Sequence, residues 1–341
     1  MKVLVSRKLP ETGIQLMKQA EIDVTQWTQK YDLTKQELIH RCQDFDALLS
    51  VGNDMNKRID SEFLLACRHL KVIALYSVGY DGVDLAVATR LGIPIGNTPG
   101  ALSGAVADLA FLLILSVSRK AIYHHQRIVN GKWGFLESTE DLGFELTGKT
   151  LGIWGLGRIG FELARRCVGG YGMKVIYCSN HQHEEAEKEL KAVKVCFDEL
   201  LERSDVLSVH TGLTSETKGK FNKQAFHKMK KTAIFINTAR GAIHNEPDLI
   251  AAIQDGVIWG AGLDVTDPEP MNRGNPLLTM PTVAVLPHIG SATAETRNAM
   301  AKMAAENVIA GLQAKRIPYV VNSAVYLNDS GHACHPDICK V

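Results

Sequence analysis

Three glycines, Gly155, Gly157 and Gly160, stand as G-x-G-x-x-G inside Leu151-Gly-Ile-Trp-Gly-Leu-Gly-Arg-Ile-Gly160. An apolar strand candidate precedes them and a helix candidate follows, the context in which this spacing cradles a dinucleotide. Gly155 permits the tight turn, Gly157 lets the backbone approach a pyrophosphate, and Gly160 lets helix and strand pack closely. The helix N-terminus then offers the N–H groups of Arg158 and Ile159 to the phosphates. A glycine turn that binds nothing is the rival reading, and the strand–turn–helix context weighs against it.

Cofactor choice is read at the end of the next strand, where an NAD site usually carries an Asp or Glu about 20 residues on, for the ribose 2′-OH. Here the chain reads Tyr177-Cys-Ser-Asn-His181, with no carboxylate before Glu184. Nothing there repels a 2′-phosphate. Ser179 and Asn180 can hydrogen-bond one, and His181 can add partial charge. The expectation is NADP(H) in preference to NAD(H), with a dual-specificity pocket as the alternative.

Three further segments each follow an apolar strand candidate: Asn237-Thr-Ala-Arg-Gly241, Gly262-Leu-Asp-Val-Thr-Asp-Pro-Glu-Pro270 and Leu286-Pro-His-Ile-Gly-Ser-Ala-Thr293. Open parallel sheets bind ligands beyond the carboxyl ends of their strands, so all three can face the same crevice as the glycine turn. Taken singly, Arg240 reads as a surface ion pair, Glu269 as a solvated loop residue and His288 as a strand-end cap. Together with the cradle they read as a catalytic set.

With these motifs in this order, the chain resembles the D-isomer-specific 2-hydroxyacid dehydrogenase family from residue 1 to about Asn322. The resemblance implies that Arg240 contacts a keto acid and that Glu269 and His288 form the acid/base pair. It places Asp264 near the nicotinamide amide, with Thr238, Ala239 and Gly290 lining that pocket. Thr211 and Leu213 fall near the adenosine half. Ser77-Val-Gly-Tyr-Asp81 matches the family's substrate loop, where Val78 and Gly79 N–H groups hold the carboxylate and Val51 and Gly52 lie close by. A turn that binds nothing is the rival reading of that loop. Two departures stand out. Val106-Ala107-Asp108 replaces a frequent Thr-Ala-Glu, so Val106 brings no hydroxyl to the cofactor, and Gly212 stands where Pro is common.

The residue types suit ketone reduction, which needs a hydride at carbon and a proton at oxygen. Imidazole titrates near neutral pH, so His288 can give the proton. A carboxylate beside it favours the proton-bearing form. The Arg240 fork matches carboxylate and carbonyl oxygens and can polarise the ketone. Within the family, Asn275-Pro-Leu-Leu and Arg297-Asn-Ala-Met look most like glyoxylate/hydroxypyruvate reductases. The expected reaction therefore reduces glyoxylate or hydroxypyruvate to the D-2-hydroxy acid. A 2-ketogluconate-type acid is the alternative substrate, and a nucleotide-sensing corepressor-like binding protein the alternative class.

The elements that must position these residues alternate between strand and helix, which implies parallel sheets with crossover helices. Strands are expected at Val3–Val5, Ala47–Val51, Val72–Tyr76, Thr150–Trp154, Lys174–Cys178, Val206–Val209, Ala233–Asn237, Gly260–Leu263 and Val283–Leu286. Helices are expected at Glu11–Gln19, Ser61–Cys67, Arg158–Cys167 and Ala294–Leu312. Residues 101–120 read as one long helix, apolar nearly all round and so buried on both faces. The fold class is α/β, with two doubly wound parallel-sheet domains. A Rossmann cofactor domain over 101–289 is inserted in a flavodoxin-like substrate domain formed by 1–100 and 290–322. A cleft between such domains closes over substrate. Residues 323–341 read as a loose tail.

Composition sets the remaining bounds. A chain of 341 residues suggests about two domains. The net charge of +1 argues against a nucleic-acid partner, which needs a concentrated basic face. The most apolar stretch, Leu109–Leu115, is too short for a membrane span. The N-terminus lacks the long apolar core of a signal peptide. Seven cysteines without a framework read as reduced thiols, hence a cytoplasmic protein. His332-Ala-Cys-His-Pro-Asp-Ile-Cys339 is too cramped for paired zinc ligands, so no metal is expected. The family resemblance implies a homodimer, with the 101–145 region contributing.

Overall fold

A parallel strand buried on both faces must be apolar along its whole length. Val72–Leu75 meets that condition outright, Ala47–Ser50, Val206–Val209 and Ile234–Asn237 meet it but for one polar residue each, and all four are buried at every position. The computed structural model describes residues 1–52, 57–135 and 137–327. These divide into two compact units, one formed by Met1–Leu102 with the chain from Ala292 onward, the other by Ser103–Ser291.

The first unit holds β1 (Lys2–Val5), β2 (Asp23–Gln26), β3 (Ala47–Ser50), β4 (Val72–Leu75) and β5 (Ile95–Gly96). Their order is β2-β1-β3-β4-β5, with every pair parallel. This is the flavodoxin-like order of a doubly wound sheet. The sequence pattern does not reveal β2, because Asp-Val-Thr-Gln carries one apolar side chain and sits at the sheet edge. The helix Ala294–Leu312 returns to this unit and packs on Glu11–Gln19 and β4. Two glycines make those approaches possible. A Cβ on Gly13 would lie 2.8 Å from Ala301 O, and one on Gly311 would lie 2.5 Å from Val72 Cβ.

The start of the expected tail is ordered structure. Ser323–Tyr326 forms a 3-10 turn, and Tyr326 Oη accepts the Ile317 N–H at 3.0 Å. Asn322 stitches the segment down by accepting from Ile95 N and donating to Ile93 O. Those side-chain bonds offset the weak apolar pattern that made the segment read as loose. Residues 328–341, including the Cys/His cluster, lie outside the described residues.

The second unit holds β6 (Thr150–Trp154), β7 (Lys174–Cys178), β8 (Val193–Lys194), β9 (Val206–Val209), β10 (Ile234–Asn237), β11 (Gly260–Leu263) and β12 (Val283–Val285). The order is β12-β11-β10-β9-β6-β7-β8, again all parallel. It is a Rossmann arrangement whose order reverses between β6 and β9. Alternate side chains serve opposite faces: Ile234 and Ile236 enter one core layer, Phe235 the other.

The expected helix over 101–120 is corrected in two ways. It spans Ser103–Ser118, the chain turns at Lys120 with φ 51°, and a second helix runs Ala121–Val129. It is also not buried all round. Ala107, Ala110, Leu113, Ile114 and Val117 pack into the core, whereas Leu112 is 50% exposed and Asp108 is exposed beside Arg166. Among the described residues no helix is long and apolar enough to cross a membrane.

Candidate active site

Loops leave the carboxyl ends of the second unit's seven strands, and every sequence-selected residue of that unit lies on or beside one of them. After β6 comes Gly155, with φ 91°. A Cβ there would lie 2.8 Å from the His210 and Thr211 backbone, so only glycine lets the β6 and β9 loops touch. A Cβ on Gly160 would lie 2.9 Å from Ile153 Cγ2, which fixes the helix close to its strand. Gly157 is different. Among the described residues nothing lies within 4 Å of its Cβ position, and it caps the helix Arg158–Tyr171 without any side-chain acceptor. The first-turn N–H groups of Arg158 and Ile159 therefore have no side-chain cap.

Beyond β7, Ser179 is half-buried and Asn180 and His181 are exposed. The carboxylate of Glu187 folds back onto the protein. It accepts from Tyr177 Oη and from Gln182 Nε2, both at 2.6 Å. Beyond β9, Thr211 and Leu213 are half-buried, with Thr211 against the glycine turn.

The β10 loop carries Thr238, Ala239 and Arg240. Thr238 Oγ1 is buried without a hydrogen-bond partner among the described residues, a polar atom that a ligand amide could satisfy. Together with the open Gly157 side and the uncapped helix, it fits a bound dinucleotide. Arg240 Nη1 donates to Ala239 O at 2.7 Å. A Cβ on Gly241 would lie 2.1 Å from Thr266 C, so the arginine turn rests against the β11 loop.

That β11 loop presents Asp264 and Glu269. Asp264 is buried and accepts Ile289 N and Gly290 N, each at 2.8 Å. Burial pushes its carboxyl above the usual range, against the two N–H groups and His288, which favour the charged form. A Cβ on Gly290 would lie 3.0 Å from that carboxylate and 3.1 Å from Val106 Cγ2. Val106 thus serves as packing here. Glu269 Oε1 accepts Thr266 N at 3.1 Å, and its Oε2 meets His288 Nδ1 at 3.1 Å. Arg240, Glu269 and His288 are therefore linked through contiguous loops of one sheet edge.

The Ser77–Asp81 loop belongs to the first unit. Ser77 Oγ donates to Gly79 O at 2.7 Å and Asn97 Nδ2 to Val78 O at 2.9 Å, so carbonyls of this turn are held by the protein. Val51 N donates to Ser6 Oγ at 2.8 Å, which commits that amide. Gly52 has φ 101°.

Two histidines escaped the sequence reading. His210 Nε2 lies 2.8 Å from Ser208 Oγ, and His244 Nδ1 lies 3.0 Å from Asn237 Nδ2. Burial lowers the pKa of each to about 4. His210 directly follows the β9 strand, which was the available signal. His244 follows the arginine turn by four residues and carried none. Among the described residues no cluster of three or more potential metal ligands occurs.

A family model described as D-isomer specific 2-hydroxyacid dehydrogenase, NAD binding domain, matches residues 111–290. The chain is 39% identical over 326 residues to the glyoxylate reductase of Korarchaeum cryptofilum, covering 95% of this chain and 96% of that protein. Its fold is similar to a Thermus thermophilus protein of known crystal structure, with TM-score 0.87 at 39% identity over 94% of this chain and all of that one (100%). It is also similar to the NADPH-dependent glyoxylate/hydroxypyruvate reductase of Sinorhizobium meliloti, solved with NADP and malonate. There the TM-score is 0.79 at 28% identity, covering 94% of this chain and 96% of that one.

Proposed function

The chain belongs to the D-isomer specific 2-hydroxyacid dehydrogenase family, and from that premise we propose that it reduces glyoxylate or hydroxypyruvate to the D-2-hydroxy acid. The carrying observation is the His288–Glu269 pair, set on the same sheet edge as the glycine cradle. When bound, the reduced nicotinamide dinucleotide supplies the hydride. With Nδ1 turned to Glu269, proton transfer to the ketone oxygen falls to His288 Nε2. Glu269 orients the ring through Nδ1. Arg240 grips the keto acid and polarises its carbonyl. Val78 and Gly79 N–H groups are assigned to the substrate carboxylate. Arg158, Ile159, Ser179, Asn180, His181, Thr211, Leu213, Thr238, Ala239, Asp264 and Gly290 are assigned to the dinucleotide.

NADPH is the favoured partner, a reading supported by the carboxylate-free β7 end and by Glu187 being drawn inward. The Sinorhizobium relative uses NADPH. Self-association as a homodimer is supported by five exposed apolar side chains within 128–142. The deciding experiment is a panel of 2-keto acids, each run with NADPH and with NADH. The highest kcat/KM is expected for glyoxylate or hydroxypyruvate with NADPH. No turnover with any keto acid would sink the enzymatic reading.

A further inference from the structure

Asn237 is fully buried at the end of β10, and its side-chain amide is hydrogen-bonded at both the oxygen and the nitrogen. Its Oδ1 accepts the Ala239 N–H at 3.0 Å, which fixes the other terminal atom as the amide nitrogen. That nitrogen donates one hydrogen to Arg240 O at 2.9 Å. Its second hydrogen points to His244 Nδ1 at 3.0 Å. Nδ1 must therefore be the lone-pair nitrogen, and the hydrogen of the neutral ring sits on Nε2.

Nε2 is buried and has no hydrogen-bond partner among the described residues, with the Phe235 ring nearby at 5.8 Å between centroids. A buried donor left without a partner keeps the full cost of its desolvation. A leucine of similar volume would spare the chain that cost. What the imidazole supplies in return is an acceptor that holds the Asn237 amide in one orientation. His244 is itself anchored, because it bridges to Phe221 and its N–H donates to Gly241 O at 3.1 Å.

The Asn237 amide spans the whole Thr238–Arg240 turn. The turn is confined on its far side too, since Gly241 lies against the Thr266 backbone, and Thr266 N caps Glu269. Asn237 O also accepts Asp264 N at 3.0 Å. One buried residue thus ties the arginine turn, through its side chain, to the loop of the acid/base pair, through its backbone carbonyl.

We infer that His244 is a positioning residue for the reaction, acting through the Asn237 amide to hold the Arg240 turn in the geometry that grips the keto acid. This rests on the reading of Arg240 as the substrate-binding arginine. Its acceptor atom is the element that matters, not its ring. Asn at 244 places Oδ1 where Nδ1 stands, whereas Val fills space and accepts nothing.

The test compares His244→Val, His244→Asn and Arg240→Ala with the natural chain, using glyoxylate and NADPH. His244→Val is expected to raise KM for glyoxylate about tenfold, while the Kd for NADPH stays within about twofold. His244→Asn should remain within about threefold of the natural KM. Loss of folded protein lowers apparent kcat but leaves KM unchanged, so misfolding cannot imitate this result. An unchanged KM in His244→Val, or equal damage in both His244 variants, overturns the inference. If Arg240→Ala also leaves KM unchanged, the assignment of Arg240 fails. If Arg240→Ala raises KM and His244→Val does not, only the role of His244 fails.

Discussion

His288 holds a left-handed backbone, φ 55°, and sets its Nδ1 3.1 Å from Glu269 Oε2. Few residues other than glycine tolerate that conformation, and His and Asn are among those that do. Asp264 secures the turn from below through Ile289 N and Gly290 N. His288→Asn therefore removes the imidazole while keeping the backbone. Turnover should fall by about 10²–10⁴. The Kd for NADPH, read by fluorescence titration, should stay within about twofold. Full turnover in that variant would move the proton donor elsewhere.

Gly155 and Gly157 separate folding from binding. A methyl at Gly155 meets the His210 and Thr211 backbone and forces a side chain into φ 91°. Gly155→Ala should cost stability by roughly 1–3 kcal/mol or more. A methyl at Gly157 meets open space at an ordinary φ of −101°. Gly157→Ala should keep its Tm within a few degrees, since a Gly-to-Ala change at a helix cap costs well under about 1 kcal/mol. Its NADPH affinity should nonetheless drop at least about tenfold, because the methyl occupies the approach to the phosphates. Equal affinity would mean that the dinucleotide does not cross this turn.

The parallel strands were legible because burial on both faces leaves near-continuous apolar runs, as at Val206–Val209 and Gly260–Leu263. The glycine cradle was legible because each glycine answers a separate steric demand. β2 was not, since an edge strand needs few apolar residues. The helix Ala121–Val129 was not legible either, since none of its residues is fully buried to mark a core face. The Asn237–His244 pair was invisible for a different reason. Its meaning lies in which atom donates to which, and spacing along a chain does not encode hydrogen-bond direction.

Glu187 is the nearest carboxylate following Ser179–His181 that is tied inward, by Tyr177 and Gln182. Ser179→Asp would restore a charge at the end of β7 without disturbing that pair. The ratio of kcat/KM for NADPH over NADH should fall at least about tenfold, which corresponds to about 1.4 kcal/mol of repulsion against a 2′-phosphate. An unchanged ratio would place the 2′-position away from Ser179.

Trp133 and Phe135 are 71% and 87% exposed, with Ile128, Val129 and Leu142 exposed in the same stretch. Apolar side chains concentrated in that way mark an interaction surface. Sedimentation equilibrium should give twice the 37.4 kDa chain mass. The double variant Trp133→Glu, Phe135→Glu should shift the population to the single-chain mass. A natural chain that sediments as a monomer at micromolar concentration removes the proposal.

The acid limb of stability should be steep between pH 6.5 and about 4. Burial lowers the pKa of His210 and His244 to about 4, against an ordinary 6.5 in the unfolded chain. Between those values the unfolded chain binds protons that the folded one refuses. Stability present above pH 6.5 is therefore lost as pH falls through the folded values. Asp264 runs the other way, since burial raises its carboxyl, and its contribution is lost as pH rises. Carboxylates held low despite burial, such as Asp205 beside Lys230, lose their contribution only below the ordinary 3.8. The loss of stability with acid above pH 4 thus belongs mainly to the histidines, with Asp264 opposing it. Urea unfolding midpoints at pH 4.5, 5.5 and 7 should fall with acid, and less so in His244→Asn, which has no proton to refuse. Equal slopes in the two proteins would show that His244 is not neutral in the folded chain, and would undo the hydrogen-bond direction assigned to Asn237.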